Sequence, residues 1–311
     1  MAAYEQAKGA PAPRIQHGIA PNTWRWLCVK YFSECMDFKR LDPQTQRVRR
    51  LILEGTFDEP IAPRADRFFR DMPLGRMDPE AIEVLRDRKM NAPEAANSRI
   101  KAIRQVFKFA VKKHYVTANP AREIEKFKTG STGYHTWSVE EVRQFEERHP
   151  IGTKARLALS LLLFTGQRRS DAIRFGRQHV HQGKLTFTQH KNRNRKPKRL
   201  TLTILPVLQE VIDASPCGDL TFLVTDFGRA FTDAGFGNKM REWCDQAELA
   251  HCTAHGLRKA GATIAAEKGA TARQLMAIFG WDSIEQAELY TRAADQKRLA
   301  DSAMHLLDNS R

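Results

Sequence analysis

The chain has 311 residues, which is enough for two domains that each bury a core of their own. Its 51 Lys and Arg residues outnumber its 36 Asp and Glu residues, and the formal net charge of +15 favours a polyanionic partner such as nucleic acid or an anionic membrane. The longest apolar run, LALSLLLF at 157–164, is too short to span a bilayer, and the N-terminus carries no hydrophobic signal region. These features argue against a membrane protein, and we expect the chain in the cytoplasm.

The cysteines are odd in number, scattered and without a CxxC motif, so the sequence predicts neither a disulfide framework nor a zinc ribbon. We expect reduced, partly buried thiols at all five positions: Cys28, Cys35, Cys217, Cys244 and Cys252. A metal cluster drawn from Cys244, His251, Cys252 and His255 fits no established ligand spacing. The sequence therefore predicts no metal and no cofactor.

Composition divides the chain into four segments. Residues 1–20 are rich in Ala, Pro and Gly and predict a flexible tail, whereas 21–128 shows helical periodicity. The glycine-punctuated stretch at 129–137 predicts a linker, and a second domain follows over 138–311.

The first domain is predicted to be helical and basic on one side. Apolar residues recur at helical spacing from Trp24 to Cys35 and again from Ile100 to Val111, with Asn97 as the expected N-cap of the second helix. No carboxylate occurs between Ala95 and Arg122. The other faces of this helix carry four basic residues: Lys101, Arg104, Lys108 and Lys112.

The second domain opens with a capping box at Ser138 and Glu141, and its apolar helix ends at Gly166. KLTFTQH and KRLTLTIL then alternate as strands around a polar tip and predict a hairpin. Between Asp171 and Glu210 there are nine basic residues and no acidic ones. A charge run is usually only a solvated face, but the absence of acids from one stretch in each domain favours two basic surfaces that close on nucleic acid.

Trp281 and Tyr290 lie nine residues apart, which on one continuous helix would place them on opposite sides. Gly280 offers a break, and Asp282 or Ser283 could cap a new helix on which the tyrosine shares a stripe with short side chains. Taken alone, such a tyrosine is more often a packing residue.

Three short motifs precede this pair. TGQRRSD at 165–171 contains Arg168 and Asp171, and Lys191 lies at the hairpin edge. His255 and Arg258 share one face near the start of a helix, where a phosphate is favoured. An HxxR match has a high false-positive rate when it stands alone.

Taken in chain order, these motifs, the Gly-Trp pair at 280–281 and Tyr290 resemble the tyrosine recombinases, the phage integrase family. The resemblance covers the whole second domain, and the helical first domain resembles the core-binding domain of that family. It implies a mainly α fold, in which a helical core-binding domain and a mostly helical catalytic domain with a small β-hairpin together form a DNA clamp. It also implies that DNA is cut and rejoined through a 3′-phosphotyrosine without metal or ATP.

The resemblance assigns a role to each motif. Tyr290 would be the nucleophile, Arg168 and Arg258 would bind the non-bridging phosphate oxygens, and Lys191 would protonate the departing 5′ oxygen. The nearby residues Arg193, Arg195, Lys196 and Lys198 leave the identity of that acid open. His255 would be a general base or phosphate ligand, and Asp171 would orient an arginine or histidine without contacting DNA.

Trp281 departs from the commonest pattern of the family, in which histidine stands at this position. Its indole N–H can only donate a hydrogen bond, so it cannot transfer a proton. Residues expected to contact DNA elsewhere are basic and lie on the first domain and the hairpin tip: Lys101, Arg104, Lys108, Lys112, Arg193, Arg195 and Lys196.

The expected partner is a double-stranded DNA core site, with a homodimer on one site and a homotetramer in the synapse, in a bacterial or phage-derived protein associated with the nucleoid. The C-terminal segment has apolar positions at Leu299, Ala303 and Leu306 or Leu307, which would pack either on a neighbouring protomer or on their own domain. A type IB topoisomerase and an inactive DNA-binding factor of the same fold remain as alternatives.

Overall fold

The computed structural model describes residues 18–130 and 133–307, with the side chains of Ala293 and Lys297 left aside. Contacts divide the chain into two compact units with the boundary between residues 131 and 132. Of the predicted tail at 1–20, only residues 18–20 are described, and residues 131–132 of the predicted linker and 308–311 also lie outside the described residues.

The first unit is helical. Trp24 is fully buried, stacks on Phe107 with 5.5 Å between ring centroids, and donates its indole N–H to the hydroxyl of Thr56 over 2.8 Å. A partly buried ion pair joins Arg99 to Glu59 at 2.7 Å. The elements are α1 (Trp24–Glu34), α2 (Met36–Lys39), α3 (Pro43–Glu54), α4 (Pro79–Asp87) and α5 (Pro93–Lys112), with 3₁₀ turns at Phe69–Asp71 and Leu74–Arg76.

The predicted N-cap at Asn97 is wrong. Helix α5 begins four residues earlier, at Pro93, because proline at the first helical position has a suitable φ and needs no N–H partner. Asn97 is buried inside the helix, where its amide accepts from the Phe127 N–H and donates to the Phe127 carbonyl, both at 2.9 Å. This residue therefore fixes the chain that follows the first unit's last helix.

The second unit is built around the apolar helix α7. Eight of its twelve residues are buried, Thr153 caps its first turn, and Gly166 ends it in the left-handed conformation at φ +62°. Its helices are α6 (Val139–Arg148), α7 (Lys154–Thr165), α8 (Arg169–Ala172), α9 (Pro206–Ala214), α10 (Asp233–Gln246), α11 (Ala254–Glu267), α12 (Ala272–Phe279) and α13 (Ile284–Ala303), with 3₁₀ turns at Arg177–His179 and Met304–Leu307. The predicted capping box at Ser138 and Glu141 is present at the start of α6.

A three-stranded antiparallel sheet in the order β1-β2-β3 lies in this unit, with β1 at Val180–His181, β2 at Lys184–Thr188 and β3 at Arg199–Thr203. The predicted hairpin is β2 and β3, and its register pairs Leu185 with Leu202 and Phe187 with Leu200 on the buried face. Strand β1 was not predicted, since two residues are too few to show alternation.

Helices α11, α12 and α13 form a small core of their own, in which Ala262, Leu275, Phe279, Trp281 and Ala287 are buried. The end of α13 does not join this core, because Leu299, Leu306 and Leu307 are each more than 60 % exposed. Within the described residues, the alternative in which these leucines pack on their own domain is therefore not supported.

The predicted fold class, mainly α with a small sheet, is confirmed. All five cysteines are free thiols, and four of them are buried. No helix of the described segments is long and apolar enough to cross a membrane.

Candidate active site

Helix α11 places Arg258 at the centre of the site. Thr253 caps the helix by accepting from the Gly256 N–H, which puts His255 and Arg258 in its first two turns. Arg258 is only 5 % exposed, and its guanidinium donates to the carbonyls of Gly166 and Phe279, the second over 2.8 Å. Burial, followed by repulsion from Arg168, lowers the pKa of Arg258 to about 9. The group therefore stays cationic at neutral pH and would gain from a bound anion.

The helix break predicted before Tyr290 is present. Helix α12 ends at Gly280, whose φ of +65° is left-handed, and α13 begins after Ser283. The Ser283 side chain does not cap the helix backbone but hydrogen-bonds to Glu285. Because of this break, the rings of Trp281 and Tyr290 lie on one side and stack.

The stack contains three aromatic rings. Phe279 and Trp281 lie 4.8 Å apart at 19°, and Trp281 and Tyr290 lie 5.2 Å apart at 11°. The Arg258 guanidinium carbon is 5.2 Å from the Phe279 ring and 5.7 Å from the Trp281 ring. Burial raises the pKa of the Tyr290 phenol, and the charge of Arg258 acts in the opposite direction. The phenol and the buried guanidinium are thus electrostatically coupled.

The indole N–H of Trp281 is buried and has no hydrogen-bond partner within residues 18–130 and 133–307. A buried donor left unpaired costs free energy, so this one is poised for a ligand acceptor. The ring that carries it lies 5.2 Å from the Tyr290 ring and 5.7 Å from the Arg258 guanidinium carbon.

Arg168 and His255 bring further positive charge to the site. Arg168 is half-buried and precedes α8, and no group in the described part of the chain forms a hydrogen bond or ion pair with its guanidinium. Desolvation lowers the pKa of His255, and the charges of Arg258, Arg168, Lys259 and Lys191 act in the same direction. The imidazole is therefore neutral at pH 7 and lies within the field of both arginines.

Lys191 lies in the exposed loop between β2 and β3, close enough to His255 to affect its pKa. Asp171 anchors this loop by accepting from the backbone N–H of His190 over 2.6 Å. Within the described residues its carboxylate makes no hydrogen bond to an arginine or histidine side chain, but its negative charge acts to raise the pKa of Arg258. Asp171 thus orients the loop that carries the lysine.

The other basic residues of the hairpin differ in whether their side chains already bind other groups of the protein. Lys198 donates to the Trp281 carbonyl at 3.0 Å and to the Asp282 carboxylate at 2.6 Å, so its amine is engaged. Arg193 contacts the ring and the carbonyl of His190. Arg195 and Lys196 are exposed at the loop tip.

Two buried glutamines, which the sequence analysis missed, hold the site together. The Gln189 amide donates to the Gln167 side chain at 2.8 Å and to the Phe279 carbonyl at 3.1 Å. Gln167 in turn donates to the Thr165 and Ile278 carbonyls, both at 2.9 Å. The pair joins the Arg168 loop, the end of β2 and the end of α12. The only feature of the sequence that could have indicated this role is their position, since Gln167 directly precedes Arg168 and Gln189 lies two residues before Lys191.

The basic residues predicted on α5 are not equivalent. Lys101, Lys108 and Lys112 are exposed. Arg104 is half-buried, and its guanidinium donates to the carbonyls of Ala121 and Ile124. The structure therefore gives Arg104 a structural contact, and its predicted contact with DNA stays a prediction.

The cysteine and histidine cluster considered in the sequence does not form as drawn. Of the described residues, His251 and Cys252 come together with His135 and Glu141, and not with Cys244 and His255. His255 instead packs its ring against Tyr134, 4.8 Å between centroids.

Comparison with known proteins decides the family. The sequence model of the phage integrase family matches residues 137–297, which is more than half of the chain. The chain belongs to the phage integrase family. It is therefore a tyrosine recombinase, an enzyme that cleaves and rejoins DNA.

The relatives of this recombinase agree with that assignment. The tyrosine recombinase XerC of Vibrio vulnificus (strain YJ016) is 24 % identical over 216 residues, covering 66 % of this chain and 67 % of that protein. A lambda integrase dimer bound to a COC′ core site has a TM-score of 0.70 at 16 % identity, covering 93 % of this chain and 84 % of that one. A lambda integrase tetramer bound to a Holliday junction has a TM-score of 0.66 at 16 % identity, covering 80 % and 72 %. At these identities the two structures show a shared fold.

Proposed function

We propose that this recombinase cuts and rejoins double-stranded DNA at a specific core site, with Tyr290 as the nucleophile. The observation that carries the proposal is the stack of Tyr290 on Trp281 beside the buried Arg258 guanidinium. The phenolic oxygen forms a bond to phosphorus, the bond to the 5′ oxygen breaks, and a 3′-phosphotyrosine results. Attack by a 5′ hydroxyl from another strand reverses these steps and rejoins the DNA.

The charge of the reaction must be balanced by the surrounding side chains. A phenol with a pKa of about 10 is only about one part in a thousand ionised at pH 7, a deficit of roughly 4 kcal/mol. Arg168 and Arg258 stabilise the pentavalent phosphate through their planar guanidiniums, and the Trp281 N–H donates to the same group. His255, neutral at pH 7, accepts the phenol proton or binds a phosphate oxygen.

Lys191 is the best candidate for the acid that protonates the departing 5′ oxygen. It lies within the electrostatic reach of His255, and its loop is fixed by Asp171. Lys198 is less suitable because Asp282 and the Trp281 carbonyl occupy its amine. Lys191 thus has both the position and a free amine among the described side chains of this hairpin.

We further propose that both units contact the same duplex, that two protomers bind one site and that four form the synapse. The exposed lysines of α5 and the hairpin tip supply the basic surface, and the solved lambda integrase complexes contain a dimer and a tetramer. The exposed Leu299, Leu306 and Leu307 support docking of the C-terminal segment on a neighbouring protomer. Deleting 297–311 should then reduce cooperativity on paired sites, and unchanged cooperativity would contradict the docking. We expect this protein on the nucleoid.

The experiment compares wild type with Tyr290→Phe and uses Tyr134→Phe as a control that removes the hydroxyl of an exposed tyrosine. Each protein is incubated with a library of nicked duplexes from the source genome, and a denaturing gel is searched for a covalent protein–DNA band. We expect the band from wild type and Tyr134→Phe only, with one sequence enriched in the trapped DNA. Trapping of random DNA would indicate a topoisomerase. Equal binding by wild type and Tyr290→Phe without any band would indicate an inactive DNA-binding factor.

A further inference from the structure

A cluster of four potential metal ligands lies in the second unit, outside the proposed recombination site. The ligand atoms of His135, Glu141, His251 and Cys252 all lie within 4.8 Å of one another. The Nε2 atom of His135 is 2.7 Å from one Glu141 oxygen, and the Nε2 atom of His251 is 2.5 Å from the other. The two imidazole rings meet edge to face, with 4.8 Å between centroids.

Each donor of this cluster is of a type that zinc binds in proteins. Two imidazole nitrogens, one carboxylate oxygen and one thiolate sulfur give a four-coordinate site, and their two negative charges match a divalent cation. We propose that His135, Glu141, His251 and Cys252 bind one Zn²⁺ ion. On binding, a zinc–sulfur bond forms, and the thiol proton of Cys252 passes to solvent.

The Glu141 carboxylate is already held in place for this role. One of its oxygens accepts from the Ser138 backbone N–H over 2.7 Å, as part of the capping box of α6. Carboxylates that bind metals are commonly oriented by a second hydrogen bond of this kind. Without metal, His135 and His251 each form a hydrogen bond to the Glu141 carboxylate. A bound zinc ion would replace these two hydrogen bonds with bonds from each side chain to the metal.

The position of the cluster indicates a structural ion. His135 precedes α6, whereas His251 and Cys252 directly precede Thr253, the N-cap of α11. The same two segments are joined by the Trp137 indole, which donates to the Thr253 carbonyl over 2.9 Å. A zinc ion would therefore fix the start of the helix that carries His255 and Arg258, without entering the phosphate chemistry.

The test uses the full chain without an affinity tag, stripped of metal and then titrated with Co²⁺ and Zn²⁺. We expect one equivalent of Co²⁺ to give the visible absorption of a tetrahedral site and a sulfur-to-cobalt charge-transfer band, and Zn²⁺ to displace it and raise the Tm. His251→Gln and Cys252→Ser should weaken binding by about tenfold or more. Cys217→Ser, which changes a partly exposed thiol outside the cluster, should bind as wild type does.

His135→Gln covers the case in which Cys252→Ser fails to fold, because His135 is exposed and its substitution leaves the core intact. The proposal is overturned if wild type shows no charge-transfer band, or if all three ligand variants bind Co²⁺ as tightly as Cys217→Ser. Formation of the Tyr290 adduct does not enter this readout, so the two proposals fail independently.

Discussion

The ring of Tyr290, in α13, lies almost parallel to the ring of Trp281, 5.2 Å away at 11°, although Trp281 belongs to the break between α12 and α13. Aromatic contacts of this kind contribute about 0.5–1.5 kcal/mol beyond the area that they bury. The indole therefore fixes the position of the phenol and also carries the unpaired buried N–H.

These two contributions of Trp281 can be separated by substitution. Trp281→Phe keeps an aromatic ring but removes the donor, and we expect adduct formation to slow by about 10-fold or more, as for loss of a hydrogen bond to a charged group. Trp281→Ala removes the stack as well and should be slower still. The measurement is the single-turnover rate on a nicked core site. Equal rates for wild type and Trp281→Phe would show that the N–H makes no contact in the transition state.

The two arginines should differ in what their loss affects. Arg168 makes no hydrogen bond within the described residues, so Arg168→Ala should reduce the rate by about 10²- to 10³-fold and leave the Tm unchanged. Arg258→Ala should reduce the rate and also the free energy of unfolding, by about 1–3 kcal/mol, because the buried Gly166 carbonyl loses its donor. Thermal melting and adduct kinetics on the same preparations test this difference. A large fall in Tm for Arg168→Ala would contradict it.

The role of Lys191 can be tested with a substrate that needs no acid. Replacing the bridging 5′ oxygen by sulfur gives a thiolate leaving group, and since a thiol has a pKa of about 8.5 this group departs without protonation. Lys191→Ala should therefore be slow on the normal substrate and close to wild type on the sulfur substrate. Lys196→Ala, which changes an exposed lysine at the same loop tip that we expect to contact DNA, should weaken DNA binding but keep the wild-type ratio of rates on the two substrates. If Lys196→Ala shows the rescue instead, the acid has been assigned to the wrong lysine.

The pH dependence of the cleavage rate should reflect the protonation of His255. Desolvation and the surrounding cations lower its pKa from the ordinary value of 6.5, so the catalytically useful neutral form is lost only as pH falls below that value. A bound phosphate is negative and should raise the pKa again. We expect the acid limb of the rate profile to lie at higher pH with saturating DNA than with dilute DNA.

His255→Gln should remove the acid limb, whereas His179→Gln should leave it in place. The same lowered pKa means that the unfolded chain binds this proton more readily, so His255 also reduces stability as pH falls through the range below 6.5. A limb that does not move between dilute and saturating DNA would show that no phosphate approaches His255.

The parts of this site that the sequence revealed are those that follow from short-range rules. Periodicity, the capping box at Ser138 and the break at Gly280 each depend on a few neighbouring residues, and all three appear in the structure. Asn97 is a residue type that favours the N-cap, but a proline four residues earlier begins the helix. The N-cap preference considers only neighbouring residues, so it cannot predict that the Asn97 amide is bonded to Phe127, thirty residues away.

Gln167 and Gln189 show why the long-range contacts of the site could not be predicted from the sequence. Gln167 and Gln189 are separated by twenty-two residues, and both also bond to carbonyls of α12, which lies roughly a hundred residues further along the chain. Contacts over such separations depend on the tertiary packing of three elements, and neither glutamine differs locally from an exposed one. The contact between Lys198 and the Trp281 carbonyl is of the same kind.

The contacts of Gln167 and Gln189 lead us to expect different effects of substitution at two glycines. Gly280 and Gly183 both have left-handed backbones, with φ of +65° and +70°, so alanine should cost about 1–2 kcal/mol of conformational strain at either position. A Cβ atom at Gly280 would also lie 2.7–2.9 Å from the Gln189 amide, whereas one at Gly183 would meet nothing within 4 Å. The overlap should add about 1–3 kcal/mol, since buried groups that are overpacked must shift.

We therefore expect Gly280→Ala to unfold at lower denaturant concentration than Gly183→Ala and to form the Tyr290 adduct more slowly, because Gln189 also holds the Phe279 carbonyl that binds Arg258. Gly183→Ala should retain wild-type kinetics. Denaturant unfolding and single-turnover rates on both variants measure the two effects. If the two variants lose equal stability, Gln189 is free to move, and the glutamine pair does not position the arginine.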